Sequence, residues 1–127
     1  MTYEEFNAFC GALPAATHVV QWGGSHVWKV GGKVFAIGGW ERGDGGTNGD
    51  GAHVTFKTSE ISFEILKDQP GCRPAPYLAS RGMKWIQRTD DSSLSDDDLR
   101  AYIEQSHRLV AQGLSKKKRK ELGLTPD

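Results

Sequence analysis

The chain has 127 residues, 37% of them hydrophobic and 25% charged, with 16 Lys/Arg against 16 Asp/Glu and a formal net charge of +0. That balance suits one soluble domain with its own core. It excludes a strongly basic DNA-coating protein, for which a domain pI above ~9 is expected, and with no apolar run near ~18 residues it excludes a membrane-spanning helix.

Near the N-terminus, Thr2 and Glu5 form a capping box. Phe6, Phe9, Cys10 and Leu13 then recur at helical spacing, and Pro14 ends the helix because the residue before a proline is pushed out of the α region. The stretch "HVWKVGGKVFAI" (26–37) contains two β-rich runs joined by Gly31-Gly32, a pair suited to a tight hairpin turn. The simplest register sets Val30 opposite Lys33, Trp28 opposite Phe35 and His26 opposite Ile37. "HVTFK" (53–57) predicts a third strand, with Val54 and Phe56 on one side and His53, Thr55 and Lys57 on the other. Between the strands, residues 38–51 hold seven of the sixteen glycines and predict a surface loop.

Thr58 or Ser59 caps a short helix, "EISFEILKD", which stops before Pro70-Gly71. Short β-like pieces around Tyr77 and Trp85, with a turn near Arg81-Gly82, predict a second hairpin. Ser95 and Asp98 form another capping box ahead of Leu99, Tyr102, Ile103, Ser106 and Val110, and Gly113 is expected to end that helix in a left-handed conformation. The expected fold is therefore α+β: two layers, a five-stranded antiparallel sheet with helices on one face, in the order α-β-β-β-α-β-β-α. Residues 1–127 form one domain in this reading, and 114–127 form a basic C-terminal extension.

No catalytic constellation emerges. Gly32-Lys33 lacks the spacing and the Ser/Thr of a P-loop, and no G-x-G-x-x-G or G-x-S-x-G occurs. A calcium loop near Asn48 and Asp50 would place Gly46 and Lys57 at its first and last ligand positions, where carboxylates are needed. The four histidines lack metal-ligand spacing, and Cys10 and Cys72 make neither a disulfide framework nor a zinc knuckle. No metal and no cofactor are expected. The polar, acidic start "MTYEEF" lacks the pattern of a signal peptide, so the expected location is cytoplasmic, without membrane attachment.

In order and spacing, "HVWKVGGKVFAI", "VTFKTS", "QPGCRPAPYL", "MKWIQ" and "LRAYIEQSHRLV" together resemble the MmcQ/YjbR family of small bacterial domains over nearly the whole chain. The resemblance implies a fold similar to secretion chaperones and to the iron chaperone CyaY, with an antiparallel sheet covered on one face by helices. It also implies DNA binding by a double-winged surface rather than enzymatic activity. Two departures stand out: Lys84-Trp85 replaces the His-Trp of many members, and the glycine loop is longer.

Charge is unevenly placed, with a balance of −2 over residues 1–60 and +2 over 61–127. Duplex binding needs several phosphates neutralised together. The candidate contacts are Lys29 and Lys33 at the first hairpin, Lys57 on the third strand, Arg81 and Lys84 at the second hairpin, and the tail Lys116, Lys117, Lys118, Arg119 and Lys120. Tyr77 and Trp85 are candidate stacking or surface aromatics. The competing expectation is a protein-interaction module that uses the uncovered sheet face, monomeric or weakly dimeric. For the basic residues themselves the competing role is structural: lysines beside turns protect strand edges, and a charged tail confers solubility.

Overall fold

The computed structural model describes residues 1–21, 24–39, 53–76, 78 and 81–124. In chain order they form α1 (Tyr3–Gly11), β1 (Ala16–Gln21), β2 (Ser25–Val30), β3 (Lys33–Gly38), β4 (Val54–Lys57), α2 (Glu60–Leu66), β5 (Cys72–Pro74), β6 (Trp85–Arg88), α3 (Asp96–Gln112) and α4 (Lys116–Glu121). The six strands make one antiparallel sheet in the order β1-β2-β3-β4-β6-β5.

The capping signals act where the sequence places them. Thr2 and Glu5 close a reciprocal box on α1, Ser59 accepts from the Ser62 N–H at α2, and Ser95 accepts from the Asp98 N–H at α3. The Arg88 guanidinium, 2% exposed as a residue, holds the Asp96 carboxylate at 2.9 Å and so ties β6 to the start of α3.

One row of register partners crosses the sheet: Trp28, Ala36, Phe56 and Ile86. Phe6 and Cys10 of α1, Phe63 and Leu66 of α2, and Leu99, Ile103 and Val110 of α3 join these residues in one core cluster. The three helices therefore cover the same face. Close packing reaches Gly38, where an added Cβ would lie 2.7 Å from Cε2 of Phe6, so only glycine admits the α1 ring.

The structure departs from expectation at several points. The sheet has six strands, because 16–21 pairs with β2 as an edge strand. Thr17, His18, Val19 and Val20 are all exposed, so β1 carries no inside-outside alternation to read. In the first hairpin Val30 pairs with Lys33 as expected, but Trp28 pairs with Ala36 and His26 with Gly38. The register skips Phe35, a β-bulge that leaves this ring fully buried against the His107 imidazole at 5.1 Å. The partner of β6 is Cys72–Pro74 rather than a strand around Tyr77, and Tyr77 lies outside the described residues, as do 40–51 of the glycine loop. Gly113 ends α3 with φ −79°, in the right-handed region, because its N–H donates to carbonyls of the last turn. The extension is itself helical over 116–121, capped by Ser115.

The sheet face remote from the helices is not open across its middle. Its row runs Val19, Val27, Ile37, Thr55, Gln87 and Arg73, of which Val27, Ile37, Thr55 and Gln87 are at most 2% exposed. Gln87 donates to the Thr55 hydroxyl at 3.2 Å and accepts two bonds from the Arg73 guanidinium, at 2.9 and 2.6 Å. This ladder satisfies side chains that would otherwise be costly to bury.

Candidate anion-binding cleft

Three central strands meet at one end of the sheet: β3 begins at Lys33, β4 ends at Lys57 and β6 begins at Trp85, the register partner of Lys57. The end of α3 and the β5–β6 connection close around them. The resulting cleft, about 830 Å³, is lined by Lys33, Val34, Ile37, Lys57, Leu78, Arg81, Met83, Trp85, Leu109, Val110 and Gly113. Three cations face a largely apolar wall, and no carboxylate is among these lining residues.

Each cation is placed by a distinct local device. Lys33 follows the Gly31-Gly32 turn, whose residues have φ of +60° and +82°. Leu114, just past α3, lies so close over Gly31 that an added Cβ would meet its Cδ1 at 2.6 Å, which docks the hairpin tip onto the helix end. Lys57 sits where the β3–β4 pairing gives out at the bulge. There the buried Ser106 hydroxyl of α3 accepts from the Lys57 N–H at 2.9 Å and donates to the Phe35 carbonyl at 2.6 Å. One side chain thus replaces the missing rung of the ladder and fixes Lys57 at the cleft. Arg81 stands in the β5–β6 connection, where its N–H and that of Met83 both donate to the Leu78 carbonyl, at 3.1 and 3.2 Å. Among the described residues none of the three cations forms an ion pair.

Among the described candidates the cleft unites Lys33, Lys57, Arg81 and Trp85 and leaves Lys29, Lys84 and the cations of α4 outside. Trp85 is only 6% exposed, so it is part of the wall rather than a surface aromatic. Lys84 points to α2, its ammonium 4.9 Å from the centre of the Phe63 ring, while its carbonyl accepts from both the N–H and the hydroxyl of Thr58. Lys29 is half-buried on β2 and does not line the cleft.

On α4, Lys116, Lys117, Lys118 and Lys120 are exposed. Arg119 instead turns towards a second cleft of about 450 Å³ beside Leu13, Glu104, His107 and Arg108. Leu124 packs against the core and donates its N–H to the Arg119 carbonyl at 2.8 Å, so the basic helix has a fixed direction.

Sequence reasoning missed the role of Ser106. The available signal was a hydroxyl at a core position of an otherwise apolar helical spacing. His18, His26 and His107 make contacts within the fold. His107, 5% exposed, donates through Nε2 to the Pro14 carbonyl at 2.7 Å, since a carbonyl only accepts. His26 contacts His18 (Nδ1 to Nε2, 3.2 Å), and its pKa is lowered by burial first and by the neighbouring His18 second. Among the described residues no helix is long and apolar enough to cross a membrane.

The architecture recurs in solved structures. It is similar to the crystal structure of a Deinococcus radiodurans protein with the domain DUF419, at 23% identity and a TM-score of 0.77 over 98% of this chain and 89% of that one. A Pseudomonas syringae protein is similar at 20% identity and a TM-score of 0.65, over 87% of this chain and 99% of its own. Both likenesses are of fold. No curated protein matches the chain. The sequence pattern of the YjbR family matches residues 11–109, well over half the chain, and the protein belongs to the YjbR family.

Proposed function

We propose that this domain is a non-catalytic, cytoplasmic binding module for polyanions, with nucleic acid as the ligand class. One observation carries the reading: Lys33, Lys57 and Arg81, distant in sequence, converge on one cleft without a carboxylate among its described lining residues. Cations that no acid neutralises among the described residues, set against low-dielectric walls, focus a positive potential on that opening. The exposed lysines of α4 add a second, more diffuse source of attraction.

The alternative of a protein-interaction module on the sheet face remote from the helices has less to stand on across the middle of that face, where Val27, Thr55 and Gln87 are already buried. The test is fluorescence-anisotropy titration of labelled single-stranded and duplex DNA at low and at physiological salt. It compares the wild type with Lys33→Gln/Lys57→Gln/Arg81→Gln and with Lys116→Gln/Lys117→Gln/Lys118→Gln/Lys120→Gln. Binding that weakens steeply with salt and falls most in the cleft variant supports the reading. Absence of binding to either DNA at low salt overturns it.

A further inference from the structure

We infer that the cleft takes a single nucleoside monophosphate unit, free or at an unpaired strand end, rather than the backbone of a duplex. The inference rests on the anion-binding reading above and names its ligand. A duplex presents its charges as a row, and proteins that follow it need a stripe of cations. Here the cations converge instead. Lys33, Lys57 and Arg81 line one volume of about 830 Å³, and neither Lys29, Lys84 nor any of the α4 cations continues that lining. The size lies within the ~300–1,000 Å³ of clefts that enclose a small ligand.

Charge narrows the class further. An internal phosphodiester carries one negative charge, whereas a phosphate monoester carries about −1.5 to −2 at neutral pH. Three cations around one site, none of them ion-paired among the described residues, match the monoester better. The remaining wall is apolar, with Ile37, Leu78, Met83, Trp85 and Leu109 among its residues. That wall offers a dry surface to the flat body of a base released from its stack, which a paired base inside a duplex cannot reach. The Lys57 backbone is set by the Ser106 hydroxyl and that of Lys33 follows the docked hairpin tip, so two of the three cations start from rigid backbone.

The experiment is isothermal titration of the full chain at low ionic strength with thymidine 5′-monophosphate, thymidine, inorganic phosphate, 5′-phosphorylated oligothymidine and a blunt, unphosphorylated duplex. Lys57→Gln and Arg81→Gln are tested alongside, the latter altering an exposed side chain on a connection. The monophosphate is expected to bind, to compete with the oligonucleotide, and to bind each variant about tenfold more weakly, as for loss of one charge-assisted hydrogen bond. Thymidine is expected not to bind, and phosphate to bind more weakly than the nucleotide. DNA binding that the monophosphate does not displace, or equal affinity for phosphate and nucleotide, overturns the inference while leaving the anion-binding reading intact. Failure of every probe overturns both.

Discussion

Helix α4 and the cleft at the end of the sheet both gather lysine and arginine, by opposite means. On α4 the cations are consecutive in sequence, and a six-residue helix fans them around its axis, with Arg119 turned inward and the four lysines out to solvent. In the cleft three cations come from three separate parts of the chain and meet because β3, β4 and the β5–β6 connection end at the same place. Density of charge along the sequence and convergence of charge in space are therefore separate properties. The second is what the proposed anion site relies on, because charges brought to one opening from separate elements act on a ligand together.

The comparison breaks most severely at Ser106. Ser106→Ala leaves the Lys57 N–H and the Phe35 carbonyl without their partner in a buried place, and is expected to lower stability by about 1–3 kcal/mol. Urea unfolding measures the loss. Anion affinity should fall along with it, because Lys57 loses its anchor, and an unchanged affinity would detach Ser106 from the site.

Charge reversal sharpens the contrast directly. Lys57→Glu is expected to weaken anion binding by about tenfold or more, or about 1.4 kcal/mol, whereas Lys117→Glu on the exposed face of α4 should change it by less than about twofold. Parallel anisotropy titrations decide between them, and equal losses would mean that the two regions act as one diffuse patch.

A smaller effect separates the helix from the site. Ser115→Ala removes the cap that accepts the Lys118 N–H and is expected to cost about 1 kcal/mol, seen as loss of amide protection in 116–121. Affinity for the monophosphate should remain at the wild-type value.

The smallest expected effect is on pH dependence, far from the cleft. His26 has a pKa lowered from its ordinary 6.5, by burial and then by His18, so folding favours the neutral imidazole. The unfolded chain then binds the proton first. Stability should be constant above about pH 6.5 and decline as pH falls from there towards the depressed folded value. Thermal melts at pH 7.5 and 5.5 should show a smaller difference in His26→Gln than in the wild type, with cleft binding capacity at pH 7.5 unchanged.

Much of the fold was legible along the chain. The caps at Thr2, Ser59 and Ser95, the hairpin turn at Gly31-Gly32 and the helical spacing from Leu99 to Val110 all sit in the structure as their residues imply. These signals act within a few residues, through backbone hydrogen bonds and side-chain periodicity. Strand β1 was not legible, because an edge strand with exposed side chains shows no alternation. The β-bulge was not legible either, since the Gly-Gly turn alone implied an unbroken register and only the packing of Phe35 against His107 on α3 displaced it.

The candidate site divides in the same way. The sequence by itself determined that the chain carries isolated lysines and arginines at strand ends and turns, an apolar set large enough for one core, and a basic run near its C-terminus. Only the tertiary structure decided that Lys33, Lys57 and Arg81 share one opening, that Lys84 lies over Phe63 instead, and that Trp85 is part of a wall. The reason is physical: a side chain's neighbours across a sheet are chosen by strand order and register, and these are set by how the helices bury the opposite face rather than by anything within reach of the residue along the chain.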